Sequence, residues 1–407
     1  MIIGGGPGGC TTAMFLLKAG IKPLIIEKSS FPRYHIGESL TGGCANILRR
    51  LGIDEQMTAR NEPVKYGVHV FGPGGKNRFW VPVMERTDDG LRPNLTWQTR
   101  RSDFDKMLLD TAVERGAEYM QCEAVEPIIK NGEVSGVVVR DENGNLINIE
   151  AKVLVDASGQ NTFLARKGVV GDRERGNFDK QISIFSQVTD AVRDQGDERD
   201  NTLIFYQKKH HWAWFIPLDE RTVSVGVTVP ASYFKSKKLS KADFLKKELV
   251  SLNSELAKRV LNLDLTEETR AVSNYSYHIR NFTGKGYLCV GDAHRFIDPI
   301  FSFGVFFAMQ EGEFAAEAIF QYLDGRTGDA ENPFADYEAM VDQGQDVLQT
   351  LLDTFWNHPL AFVVMAQNRH RDEIIDYFAG RVYGQKAIEG KALASMRKLT
   401  SSSSVSA

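Results

Sequence analysis

Apolar residues along the chain recur at two spacings, and the switches between them outline its elements. Met1-Ile2-Ile3 is a short β-prone run, Gly4-Gly5-Gly6-Pro7-Gly8-Gly9 a turn, residues 10–19 a helical pattern closed by Gly20, and residues 23–27 a second buried strand. That order predicts a βαβ unit with a right-handed crossover. Only three residues remain for the first strand, so the start reads as trimmed, and no signal peptide is read there. Residues 102–116 predict a further helix, with Ser102 as N-cap and Gly116 closing it. From 124 to 155 the period becomes two. Asn131-Gly132 and Asn143-Gly144 mark tight turns in a β-meander, which leads into a strand ending Asp156-Ala157-Ser158-Gly159. Residues 181–229 give further antiparallel strands around one charged loop. Residues 240–261 are helical, and 286–293 read strand then turn. From Val305 onward the pattern is mostly helical, and residues 401–407 read as a disordered tail.

Composition narrows the function classes. With 42% hydrophobic and 25% charged residues in 407, the chain reads as an ordinary soluble globular protein, long enough for two domains. A net charge of −4 gives no support for nucleic-acid binding. No run is apolar enough for a membrane span. Cys10, Cys44, Cys122 and Cys289 fall in no disulfide or metal-ligand spacing, so they read as reduced thiols in a cytoplasmic protein, and no metal site is expected.

Three motifs carry candidate chemistry. Gly4, Gly6 and Gly9 form a GxGxxG turn between strand and helix, the arrangement that brings backbone and a helix N-terminus against a pyrophosphate. Glu27 ends the next strand, where an acidic residue accepts a ribose hydroxyl. Far downstream, Gly291-Asp292 ends another strand, and Pro299 to Gly304 leads into a helix whose N–H groups would face a cofactor or an anion. Two nucleotide-type elements at opposite ends of the chain favour FAD, which is long enough to touch both. Between them lies Trp212-Ala213-Trp214-Phe215-Ile216-Pro217, which taken alone reads as a core strand.

Taken together these stretches resemble the flavin-dependent halogenases, within the FAD monooxygenase and geranylgeranyl-reductase-like superfamily. Four pieces match in order: the glycine turn, residues 31–39 (FPRYHIGES), WxWxIP at 212–217, and residues 291–305. The resemblance spans roughly residues 1–320 and points to the branch acting on phenols, pyrroles or alkyl groups, often carrier-tethered. It implies an α/β fold: a Rossmann-like, glutathione-reductase-type FAD-binding domain, an inserted antiparallel-sheet substrate domain, and a C-terminal helical region. The expected divisions are 1–80, 98–180 and 265–325 for FAD, 81–97 and 181–264 for substrate, and 326–400 for the helical region.

The resemblance also implies a reaction. FAD reduced by a separate reductase would give a C4a-hydroperoxide, and chloride or bromide would attack it. The resulting hypohalous acid would reach a lysine that delivers halogen to an electron-rich carbon. Lys65 is the matching position, with Ser302 bridging toward it. Gly4, Gly6, Gly9, Glu27, Lys28, Arg33, Glu38, Ser39, Arg101, Asp292, Pro299 and Gly304 would hold the cofactor, with His35 supporting the loop. The backbone of Phe303 and Gly304 would bind halide, and Trp212, Trp214, Ile216 and Pro217 would separate flavin from substrate. Phe303, where the family often has a small residue, should crowd the halide site. That favours the alternative of a monooxygenase, dehydrogenase or reductase without halogenation. A non-catalytic flavoprotein or carrier-binding partner is the third reading. No second glycine-rich fingerprint for a nicotinamide cofactor is present.

Overall fold

A computed structural model describes residues 1–175, 180–261, 264–273, 276–328 and 331–403. Its first sheet is built from the short apolar runs. The strands lie in the order Thr283–Gly284, Tyr287–Cys289, Leu154–Asp156, Ile2–Ile3, Leu24–Glu27, Glu118–Gln121, all parallel except the first. Ile2 stands beside both Val155 and Ile25. These residues are buried, as the centre of a parallel sheet covered on both faces requires. The helix Pro7–Lys18 starts inside the glycine turn, with Pro7 in its first turn. It packs on the long helix Gly304–Leu323. A side chain on Gly312 would come within 2.9 Å of the Gly8 carbonyl oxygen, so glycine is what lets these two helices touch.

A second, seven-stranded sheet runs Arg270–Ser273, Gln181–Thr189, Thr222–Pro230, His211–Pro217, Thr202–Lys208, Gly67–Phe71, Phe79–Pro82. All pairs are antiparallel except Thr202–Lys208 with Gly67–Phe71. This corrects the expected divisions at 80 and 265. The boundary at 80 would cut Phe79–Pro82 in half, and Gly67–Phe71 and Arg270–Ser273 belong to this sheet rather than to the parallel one. The apolar faces of Val68, Val70, Phe79 and Val81 are satisfied by pairing here, and the sequence does not say which sheet they join. Along His211–Pro217 the pleat sends Trp212, Trp214 and Ile216 into the larger core. Ala213 and Phe215 go into a smaller one with Phe244, Leu245, Leu249 and Leu256.

Other expectations shift in detail. The helix expected over 102–116 is Arg101–Glu114; Ser102 is not its N-cap, and the cap residue, Arg100, makes no side-chain cap bond. Arg101 is drawn into the first turn by a two-pronged bond to Asp105, at 2.7 and 3.0 Å. The stretch 240–261 divides into Lys241–Ser251 and Ser254–Arg259, with Asn253 capping the second through Glu255 N–H at 2.9 Å. The final helix, Lys391–Ser403, runs into the segment expected to be a disordered tail, and 404–407 lie outside the described residues. Among the described residues no helix is long and apolar enough to cross a membrane.

Candidate active site

One cavity of about 1040 Å³ runs between the two sheets. Its lining includes Gly4, Gly6, Glu27, Lys28, Ser158 and Gln160; Arg33, His35, Glu38, Ser39, Arg101 and Asp292; and Trp212, Trp214, Ile216, Pro299, Ser302 and Gly304. Sequence motifs more than 200 residues apart thus face one space. Backbone sterics shape the glycine end. Gly4 has φ +107°, and a side chain there would sit 2.3 Å from the Ala157 carbonyl oxygen. A side chain on Gly9 would overlap the Gly4 oxygen at 1.9 Å, so Gly9 supports the turn from behind and does not line the cavity. Glu27 Oε2 accepts the Gly5 N–H at 2.9 Å and Oε1 the Ser29 N–H at 2.8 Å, which fixes the carboxylate with lone pairs to spare for a ligand hydroxyl.

The 31–39 turn crosses the middle of the cavity. Asp105, fully buried, ties Arg101 and Arg33 together; Arg101 also donates to the Ile36 carbonyl at 2.7 Å. Glu38 is buried, and its Oε2 has no hydrogen-bond partner. Burial pushes this carboxyl up to about 7, with Ser224, Arg100 and Arg101 pulling the other way. Burial, helped by Glu311, also pushes Asp292 up to about 7. Two buried carboxyls with raised pKa values in the wall of one large cavity are the marks of a site shaped for a polar ligand.

The far wall is aromatic. Trp212 and Trp214 stand 5.8 Å apart, and Trp214 Nε1 donates to Ser224 Oγ at 3.2 Å. Pro217, expected to help separate flavin from substrate, is buried but lies outside the cavity lining. Opposite, the helix Gly304–Leu323 opens toward the cavity at Gly304 and Val305. It has no side-chain cap bond and no acidic residue in its first turn. Phe303, expected to crowd the halide site, does not line the large cavity. Its ring packs among Phe301, Phe307 and Phe378, outside the cavity lining, so only its backbone stays near the helix mouth.

Lys65 lies beyond this wall. It is 2% exposed, so a solvated strand-edge lysine is excluded. Burial pushes its ammonium down to about 7 from the usual 10.5, and no carboxylate offsets that among the groups acting on it. Its Nζ donates to Ser39 Oγ at 2.8 Å and to the Leu40 carbonyl at 2.9 Å. The bridge toward the cavity is therefore Ser39, not Ser302, which lines the cavity and holds a left-handed turn at φ +62°. Lys65 itself borders a separate void of about 20 Å³, closed by Val68, Val81, Pro82, Val83, Phe301 and Phe378, with room for about one water.

Sequence reasoning missed Asp105, Gln98, Thr202 and Phe378. Asp105 had a readable signal, because Arg101 and Asp105 are four apart on one helix. The other three come from segments whose proximity only the fold creates.

The sequence pattern described as "FAD binding domain" matches residues 1–337. The 1H-pyrrole-2-carbonyl-[peptidyl-carrier protein] brominase of Pseudoalteromonas luteoviolacea is 41% identical over 381 residues, which is 93% of this chain and 91% of that protein. The corresponding chlorinase of Pseudomonas fluorescens is 29% identical over 96% of this chain and 90% of its own. The solved structure of the flavin-dependent brominase Bmp2 superposes with a TM-score of 0.93 at 39% identity, covering 100% of this chain and 98% of that one. The glycine cradle, the long cavity and the fixed Glu27 carboxylate fit FAD. The chain belongs to the flavin-dependent halogenases, within the FAD binding domain family.

Proposed function

We propose that this protein halogenates a pyrrole ring tethered to a carrier protein, using bromide or chloride and FAD reduced by a separate reductase. The observation that supports this reading is Lys65, a buried lysine with no carboxylate partner, set behind the wall of the cofactor cavity. A hydroxylase or dehydrogenase has no use for it. Bound reduced FAD, with O2, would supply the oxidising equivalent that turns halide into hypohalous acid.

The residues of the chain do the rest. Gly4, Gly6 and Glu27 hold the nucleotide end. Asp292, Arg33 and Arg101 fix the middle. The open amides of Phe303 and Gly304 offer halide a helix N-terminus free of competing carboxylates. Trp212, Trp214 and Ile216 exclude water and keep the ring substrate from the cofactor. Lys65 holds the electrophilic halogen, by a hydrogen bond as ammonium or by an N–halogen bond as neutral amine.

The test supplies a reductase, O2, either halide and a pyrrole-loaded carrier. A product with the halogen's isotope pattern is expected only when halide is present. Lys65→Ala should lower its formation at least ~100-fold while FAD affinity and hydrogen peroxide release persist. Lys65→Arg should fail too, since a guanidinium stays protonated. Halide-independent hydroxylated product, or an unchanged Lys65→Ala rate, would hand the reading to the oxidoreductase alternative.

A further inference from the structure

The wall between the cofactor cavity and the lysine void contains two hydroxyls in series. Lys65 Nζ donates to Ser39 Oγ at 2.8 Å, and Ser39 Oγ lies 2.7 Å from Thr202 Oγ1. Both hydroxyl residues line the large cavity, and Lys65 does not. Gln98 Nε2 donates to Thr202 Oγ1 at 2.9 Å and to the Asp200 carbonyl at 3.0 Å. A carbonyl can only accept, so the second bond fixes which way the Gln98 amide faces. The Ser39–Thr202 bond can run either way. In one of its two directions Ser39 accepts from Lys65 and passes its own hydrogen to Thr202, while Thr202 accepts from Ser39 and Gln98 and has its own hydrogen left for the cavity.

The lysine end matches. Two of its N–H bonds have acceptors, Ser39 Oγ and the Leu40 carbonyl. A neutral amine therefore keeps both bonds and a free lone pair, whereas an ammonium has a third N–H with no acceptor and no compensating charge. The Cys44 thiol, on the helix Gly42–Leu51, is the titratable group facing Lys65. The neighbours from the strands Gly67–Phe71 and Phe79–Pro82, and from Phe301, Phe378 and Ala379, are apolar. Burial pushes that thiol up as well, which leaves it neutral.

We propose that Ser39 and Thr202 form a two-hydroxyl relay that carries a proton from Lys65 into the cofactor cavity, so that the lysine meets the halogen as a neutral amine. The step is a concerted transfer. The lysine proton goes to Ser39 Oγ, the Ser39 proton to Thr202 Oγ1, and the Thr202 proton to a water in the cavity. Three bonds to hydrogen break and three form, and no electron changes owner. The hydroxyls then rotate to restore the starting direction. Ser39 and Thr202 act through Lys65 and so are positioning residues. The role rests on the halogenase reading, although the proton path itself is a property of the chain.

Two measurements on the full-length protein test it. The first follows halogenation against pH with the reductase, bromide and pyrrole-loaded carrier. In the parent the rate should level off once Lys65 is neutral. In Thr202→Val it should fall at least ~10-fold at pH 7 and keep climbing with pH, because hydroxide must then remove the proton directly. Thr202→Ser should restore the plateau, and FAD affinity should stay the same in all three. The second uses 15N-lysine NMR on the cofactor-free chain to read Lys65 Nζ proton exchange and titration. Thr202→Val should slow exchange at least ~10-fold and leave the titration midpoint in place. An unchanged exchange rate and plateau would overturn the relay. So would a shifted midpoint that accounts for the whole rate loss, or failure of both Thr202 variants to bind FAD. A parent that makes no halide-dependent product would instead sink the halogenase reading, and the NMR arm would still judge the relay.

Discussion

The two ends of the candidate active site are built in opposite ways. The glycine end is local and made of backbone: Gly4, Gly9 and Glu27 lie within 24 residues, and their constraints are collisions with carbonyl oxygens and bonds to N–H groups. The lysine end is assembled from side chains of distant segments. Ser39, Lys65, Gln98, Thr202, Phe301 and Phe378 meet only because two sheets and the C-terminal helices converge. The first end works by leaving room and should break when room is filled. The second withholds solvent from a charge, which costs stability.

The largest effect is expected at the glycine end. In Gly9→Ala the new carbon would lie 1.9 Å from the Gly4 oxygen, an overlap that only a backbone shift of strand or helix relieves. A loss of more than about 3 kcal/mol and of bound FAD is expected, since packed backbone cannot yield as a side chain does. Urea unfolding and FAD content check both. A variant that keeps FAD and stability would mean that this end is not set by contact.

The lysine end should respond with the opposite sign. Below pH 7 both folded and unfolded chains carry the Lys65 proton, and the folded one bears the full cost of a desolvated ammonium. Between about 7 and 10.5 the unfolded chain binds a proton that the folded chain has released, so stability rises with pH across that window. The shift corresponds to a cost on the order of 4 kcal/mol below the window. Lys65→Met removes it but leaves Ser39 Oγ and the Leu40 carbonyl without their donor, at about 1 kcal/mol each. A net gain of about 2 kcal/mol is therefore expected at pH 6, shrinking as pH rises and turning into a net loss of roughly 1–2 kcal/mol by pH 10, with halogenation lost at both. Unfolding curves over that range decide it. A variant less stable than the parent at pH 6 would mean that Lys65 is not paying a desolvation cost.

The same contrast explains what could be read from sequence. The βαβ unit, the glycine turn and Glu27 were legible because each is a local pattern whose geometry follows from residue type. The aromatic strand was legible as a strand, and its alternation decides which of its residues face the cavity. Not legible was the sheet joined by Gly67–Phe71 and Phe79–Pro82, because an apolar strand pairs equally well in either place. The packing of the Phe303 ring was not legible for a related reason. A sequence places its Cα at the helix mouth, but only the packing of Phe301, Phe307 and Phe378 says where the ring goes. Lys65 was singled out by resemblance; its burial and its link to Ser39 depend on Leu40, Thr202 and the apolar side chains over it, which no local spacing encodes.

The smallest effect, and the finest test of the glycine end, is Glu27→Gln. The substitution keeps size and shape but leaves one oxygen where there were two. Both carboxylate oxygens already accept a backbone N–H, from Gly5 and from Ser29. An amide serves one of them and turns an NH2 toward the other, so one backbone donor loses its partner and a ribose hydroxyl loses an anionic acceptor. Loss of one charge-assisted bond is worth about 1–2 kcal/mol, which predicts an FAD dissociation constant raised roughly 10-fold, with the fold intact. Quenching of flavin fluorescence on titration reads this directly. An unchanged constant would mean that Glu27 only braces the turn, and that the nucleotide is held by backbone alone. That would make the glycine end still more unlike the lysine end, where a side chain, Ser39 Oγ, holds the Lys65 ammonium together with the Leu40 carbonyl.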